Sequence, residues 1–165
     1  MPSNAYHLVT RWRVRGTVDD VREILSDAPS LPRWWPDVYL RVDVLEPGEP
    51  DGVGRVVRLD TKGLLPYRLR WCFRVESVSP GGSRIRCWGD FAGTGVWSWR
   101  QDGPDVEVAY DWNVVAEKPL FRALSWALKP VFSANHRWAM ARGEESLRRE
   151  LARRRSCQDR ATGAA

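Results

Sequence analysis

The chain has 165 residues, enough for one domain that buries roughly 70% of the surface its unfolded form would expose, so no disulfide or metal staple is required. Cys72, Cys87 and Cys157 are an odd number without Cys-x-x-Cys spacing, which argues against a zinc site and a disulfide framework and fits a reducing, cytoplasmic setting. The net charge of +5 is concentrated near the end, where Arg148, Arg149, Arg153, Arg154, Arg155 and Arg160 outnumber Glu150 and Asp159; this reads as a solvated helix end rather than a nucleic-acid surface.

Tyr6 to Arg15 alternates apolar and polar side chains, the period of a half-buried strand that Gly16 ends. Thr17-Val18-Asp19-Asp20 then resembles a capping box and predicts a helix through about Ala28, with Val18, Val21, Ile24 and Leu25 at helical spacing. Pro29, Pro32 and Pro36 hold Leu31, Trp34 and Trp35 in a loop or short turn. Beyond it, turn signals at 47–52, 62–63, 80–83, 92–93 and 102–104 separate five or six strand-like runs, an antiparallel meander. From Pro119 to about Arg154 the period becomes helical, with a stripe at Leu120, Leu124, Ala127, Leu128 and Val131. Pro130 is expected to kink or split that helix. One domain is predicted over residues 1–155, with a disordered tail at 156–165.

No apolar run reaches the ~20 residues of a membrane span, and Met1 to Asn4 carries no signal-peptide pattern.

Ten tryptophans are the outstanding feature, and most lie in the alternating segments. Strand parity puts Trp12, Trp71, Trp97, Trp99, Tyr110 and Trp112 on one concave face. Trp88 joins them or points outward according to the length of the turn near Phe91. The final helix must cover that face. Its apolar sector past Pro130 runs through Val131, Phe132, Trp138 and Ala139, with Asn135 inside it and His136 at its edge. A buried amide needs hydrogen-bond partners, so Asn135 faces either a polar group of the chain or a ligand.

Catalytic equipment is sparse. Asp90, Asp111, Glu117 and two histidines, His7 and His136, are candidates for acid–base work, but no spacing marks a pair. No metal-ligand cluster, nucleophile elbow or phosphate loop is present, so no metal or cofactor is expected and no catalytic residue is assigned.

Several pieces together resemble the START-like (SRPBCC) superfamily, in its polyketide cyclase/dehydrase-like branch. They are Trp34-Trp35-Pro36, Gly52-Val53-Gly54-Arg55, the stretch from Gly63 to Leu69, that from Gly89 to Trp97, Tyr110-Asp111-Trp112, Lys118-Pro119, and Asn135-His136 with Met140 and Gly143. The likeness runs from Tyr6 to Leu151. It implies an α+β helix-grip fold, in which a curved antiparallel sheet of about seven strands wraps a long C-terminal helix around a hydrophobic cavity. It also implies a small apolar ligand, a lipid or polyketide-like metabolite. The aromatic face, the proline-stiffened turn and the covering helix supply the residues expected to hold it: Trp12, Trp34, Trp71, Trp97, Trp99, Tyr110, Trp112 and Asn135. Trp34 and Trp35 would help to close the entrance. The alternative is a cyclase or dehydratase acting in the same cavity. No specific nucleic acid and no membrane span are expected as partners, and the sequence leaves the oligomeric state open.

Overall fold

The computed structural model describes residues 4–64, 66–117 and 125–162, with the side chains of 125–128 outside that description. The expected helix start at Pro119 and the stripe positions Leu120 and Leu124 therefore lie outside the described residues, as do the side chains of Trp126, Ala127 and Leu128.

Strand β1 (Ala5–Arg15) is followed by helix α1 (Val18–Ser26), a 3-10 turn (Ala28–Ser30) and the single-turn helix α2 (Leu31–Trp34). Six strands follow: β2 (Tyr39–Glu46), β3 (Val56–Lys62), β4 (Arg68–Ser79), β5 (Gly82–Gly89), β6 (Phe91–Asp102) and β7 (Asp105–Ala116). Helix α3 (Ser125–Thr162) is the last described element. All seven strands form one antiparallel sheet in the order β1-β7-β6-β5-β4-β3-β2. This is an α+β architecture in which a long helix packs on one face of the sheet.

Local chemistry explains the connections. Thr17 caps α1 by accepting the Asp20 N–H at 3.2 Å, while its hydroxyl donates to the Asp20 carboxylate at 2.6 Å. Pro80-Gly81 and Gly103-Pro104 are two-residue hairpin turns between Ser79 and Gly82 and between Asp102 and Asp105. The turn expected at Ala92-Gly93 is instead at Asp90, and both residues lie within β6. Past the Cys87–Gly93 pair, β5 stays on β4 and β6 stays on β7, so the hairpin splays. Trp88 then falls on the convex side opposite Cys72, and it is exposed.

Helix α3 is continuous across Pro130, so of the kink or split expected there the split does not occur. A proline takes a single N–H out of the ladder, and the helix continues past that one missing bond. The helix also runs past residue 155 to Thr162, so the predicted tail is helical that far; Ala, Arg and Gln there are good helix formers. Its buried residues are Phe132, Asn135, Met140, Gly143, Ser146, Leu147, Glu150 and Leu151. Val131 is not among them and is exposed, correcting its expected place.

Three tail arginines hold α3 against the rest of the fold. Arg148 and Arg155 donate to the Arg13 and Arg15 carbonyls of edge strand β1, at 3.0 and 2.9 Å, and Arg154 pairs with Glu23 of α1 at 2.9 Å. Edge carbonyls that could otherwise template another strand are thereby occupied. Among the described residues no helix is long and apolar enough to cross a membrane.

Candidate functional site

The concave face of the sheet is aromatic because alternate residues of β1, β4, β6 and β7 point inward. Tyr110 is the centre of a stack, with Trp97 at 4.0 Å and Trp112 at 5.4 Å between ring centroids. The stack lies flat over β6 because residue 95 is glycine. A β-carbon there would come within 3.0 Å of the Trp112 ring and collide with the Tyr110 hydroxyl. Trp71 meets Trp112 edge-on at 5.4 Å, and its indole N–H donates to the buried Thr61 hydroxyl at 3.2 Å.

The opposite wall comes from α2 and α3. The Trp35 N–H closes the α2 turn on the Leu31 carbonyl at 2.8 Å, and its ring packs on α3 at Gly143. Arg33, two residues earlier, makes a two-pronged pair with Glu150 of α3, both bonds 2.9 Å. Glu150 is almost fully buried and also receives Arg153 and Arg154. Hydrogen bonds from Arg153 and then Arg33 hold its carboxyl far below the usual carboxylate range, against the effect of burial.

Between these walls lie two cavities of about 90 Å³ each. Trp35, Tyr39, Trp71 and Tyr110 line both and form the wall between them. The first lobe is lined further by Leu31, Leu59, Phe73, Ile85, Trp97 and Arg55, beside the end of α1 and the β2–β3 loop. The second is lined further by Val38, Phe91, Trp112, Phe132, Asn135 and His136, beneath α3. Each is smaller than the ~300 Å³ at which small-molecule sites usually begin. A single ring fits one lobe, and a longer molecule must part the aromatic wall or project from a mouth.

No family model and no curated protein matches this sequence. Solved structures do match in fold. The Zhui aromatase/cyclase from Streptomyces sp. R1128 superposes with a TM-score of 0.69 at 17% identity, over 91% of this chain and 95% of that one. A START superfamily protein from Mycobacterium smegmatis gives 0.69 at 15% identity, over 89% and 97%. A norcoclaurine synthase point mutant from Thalictrum flavum, in complex with a transition-state analogue, gives 0.63 at 14% identity, over 92% and 96%. The fold is the START-like helix-grip fold.

Within this START-like frame the residues singled out from sequence separate into two groups. Trp71 and Tyr110 line both lobes, Trp97 lines the first, and Trp112 and Asn135 line the second. Trp12, Trp34 and Trp99 line neither. Trp12 is packed between Trp35 and Trp97, at 5.6 and 5.4 Å. The indole N–H of Trp99 is bonded to the Pro80 carbonyl at 2.7 Å. Trp34 is buried beside Trp35 rather than standing at an entrance rim.

Asn135 is engaged by the chain itself. Its side-chain oxygen accepts the Leu64 N–H at 2.7 Å, and glycine at position 63 gives the amide room. The candidate acids lie elsewhere. Asp111 pairs with His7 on the outer surface at 3.0 Å, and Asp90 accepts the Arg70 N–H at 2.9 Å beside the exposed Glu117. His136 does reach the second lobe, 3.4 Å from the Thr10 hydroxyl; burial, then Arg137, pushes its pKa down to about 4. Tyr39, Phe91 and Arg55 are lining residues that the sequence reading missed. Phe91 adjoins the turn that lies at Asp90 rather than at Ala92-Gly93, and Arg55 precedes β3, outside the alternating strand pattern.

Proposed function

We propose that this chain binds a small apolar or aromatic molecule between the sheet and helix α3. The observation that carries the reading is the pair of cavities sharing the Trp35, Tyr39, Trp71 and Tyr110 wall. Rings supply apolar area and stacking faces, and a few polar groups set orientation. Trp97, Trp112 and Asn135 contribute lobe surface, while Trp12, Trp34 and Trp99 act as packing behind it. In this reading the protein is a cytoplasmic carrier or sensor of such a molecule, a lipid or polyketide-like metabolite.

The test combines tryptophan emission with thermal melting against fatty acids, sterols and aromatic polyketides. A saturable emission change with a raised melting temperature is expected for at least one class. Unchanged emission and melting across all three would overturn the reading.

An enzyme acting in the same cavity has one specific support, His136 facing the second lobe. A neutral imidazole there could take a proton. A group with so low a pKa is a weak base, and both candidate aspartates lie outside the lobes, which favours binding over catalysis. Turnover of a bound polyketide-like ligand that His136→Asn abolishes would reverse that preference.

A further inference from the structure

The Gly52-Val53-Gly54-Arg55 stretch builds a feature that an apolar cavity does not need. In the β2–β3 loop, Gly48, Gly52 and Gly54 hold φ of 72°, 94° and 80°, a region costly for residues with a β-carbon. The loop closes on itself through Glu49 N–H to Val53 O and Gly52 N–H to Glu49 O, both 2.8 Å, and Arg55 N–H to Gly52 O at 3.1 Å. This fixes the Arg55 guanidinium. Its Nε donates to the Pro47 carbonyl and its Nη1 to the Ser26 carbonyl, each at 3.1 Å. Gly52 covers it closely, since a β-carbon there would sit 3.8 Å from the guanidinium carbon.

Arg55 is half-buried and lines the first lobe. Among the described residues it forms no ion pair, whereas most other arginines of the sheet do. Asp51 lines the same mouth, but its carboxylate accepts the Val53 N–H at 2.9 Å. A guanidinium has five donor hydrogens, and the two backbone carbonyls leave others for a planar oxyanion. With no carboxylate of the described residues in contact, these donors are left for a bound carboxylate, which they would engage as a charge-assisted pair. The dividing wall adds the Tyr39 and Tyr110 hydroxyls, neither of which has a hydrogen bond among the described residues.

The geometry points to Arg55 as the anion-binding group of the first lobe. The molecule taken there carries a carboxylate at the mouth, a single-ring apolar body inside, and an acceptor oxygen toward Tyr39 and Tyr110. The inference rests on the small-molecule reading of the cavity and names the chemical class of its ligand.

Calorimetric titration with two near-isosteric probes, 4-propylbenzoate and 4-propylacetophenone, tests it at pH 7.5. The wild-type protein is expected to bind the benzoate at least ~10-fold more tightly than the ketone. Arg55→Gln should erase that difference while leaving ketone affinity within about 2-fold. Arg58→Gln, which removes the same charge from the exposed face of β3, should retain it. Equal affinities in the wild type, a preference that survives Arg55→Gln, or one lost equally in Arg58→Gln would each overturn the proposal. If Arg55→Gln does not fold by circular dichroism, the wild type and Arg58→Gln still decide. A preference in both supports the proposal and no preference overturns it. Failure of both probes to bind the wild type would count against the small-molecule reading itself, an outcome separate from loss of the anion preference.

Discussion

Trp35 lies against helix α3 at Gly143, so close that a β-carbon on residue 143 would fall inside its indole ring. That contact sets the spacing between α3 and the aromatic wall, because Trp35 also touches Trp12 and Tyr39, at 5.6 and 5.1 Å. A helix-interior glycine costs about 1 kcal/mol relative to alanine in propensity alone. Here its lack of a side chain is what lets the ring seat.

Gly143→Ala should therefore destabilise the fold despite its better propensity, by about 1–2 kcal/mol, as overpacking does. In a Trp35→Phe background, where the smaller ring leaves room for the methyl, the same change should cost less. Urea unfolding of the four proteins measures this as a double-mutant cycle. Equal costs in both backgrounds would break the proposed link between the two residues.

Glu150→Gln should lower stability by about 2–3 kcal/mol at pH 7, because hydrogen bonds to charged groups in a buried site are lost. Its carboxyl pKa is depressed in the folded protein, so its contribution is present above the ordinary value of 4.5 and is lost as pH falls below it. In unfolding curves, the stability gap between wild type and Glu150→Gln should hold from pH 6 to about 4.5 and narrow steadily from there to pH 3. Parallel curves would contradict the assignment.

His136 acts in a higher window. Its folded pKa of about 4 lies below the free value of 6.5, so the folded state disfavours the imidazolium. Above pH 6.5 both states are neutral and nothing is lost. As pH falls toward 4 only the unfolded chain takes the proton, and stability drops by on the order of 3 kcal/mol. His136→Phe should flatten the stability profile between pH 6.5 and 4. A His136 imidazole resonance, assigned by its loss in His136→Phe, that titrates near 6.5 in the folded protein would rule this out.

Much of the fold was legible in the sequence, because period-two alternation survives wherever one strand face is buried. Trp12, Trp71, Trp97, Trp99, Tyr110 and Trp112 all point to the side expected. Which of them meets a void was not legible. Trp99 is turned to Pro80 and Trp12 is wedged between two indoles, arrangements set by neighbours 19 and 23 or more positions away. Trp34 and Trp35 are adjacent, and only the α2 turn distributes them, one beside the Arg33–Glu150 pair and the other into the wall. Glu150 read as one charge in a basic helix, since its partner Arg33 is 117 residues away.

Asn135→Ala should release the β3–β4 loop from α3, because the amide oxygen holds the Leu64 N–H across that gap. Hydrogen exchange at Leu64 should accelerate while exchange in the middle of β7 stays slow. Unchanged exchange at Leu64 would show that the loop is held by other contacts.

The most direct test of the cavity is the indole region of a ¹H–¹⁵N NMR spectrum, where the ten tryptophans report individually. On titration with 4-propylbenzoate, the indoles of Trp35, Trp71 and Trp97 should shift together and saturate, because they line the first lobe. Trp88, exposed on the convex face, should stay in place. Saturable shifts confined to Trp88, or no shift at any of the three lining indoles, would contradict a ligand site between the sheet and the helix.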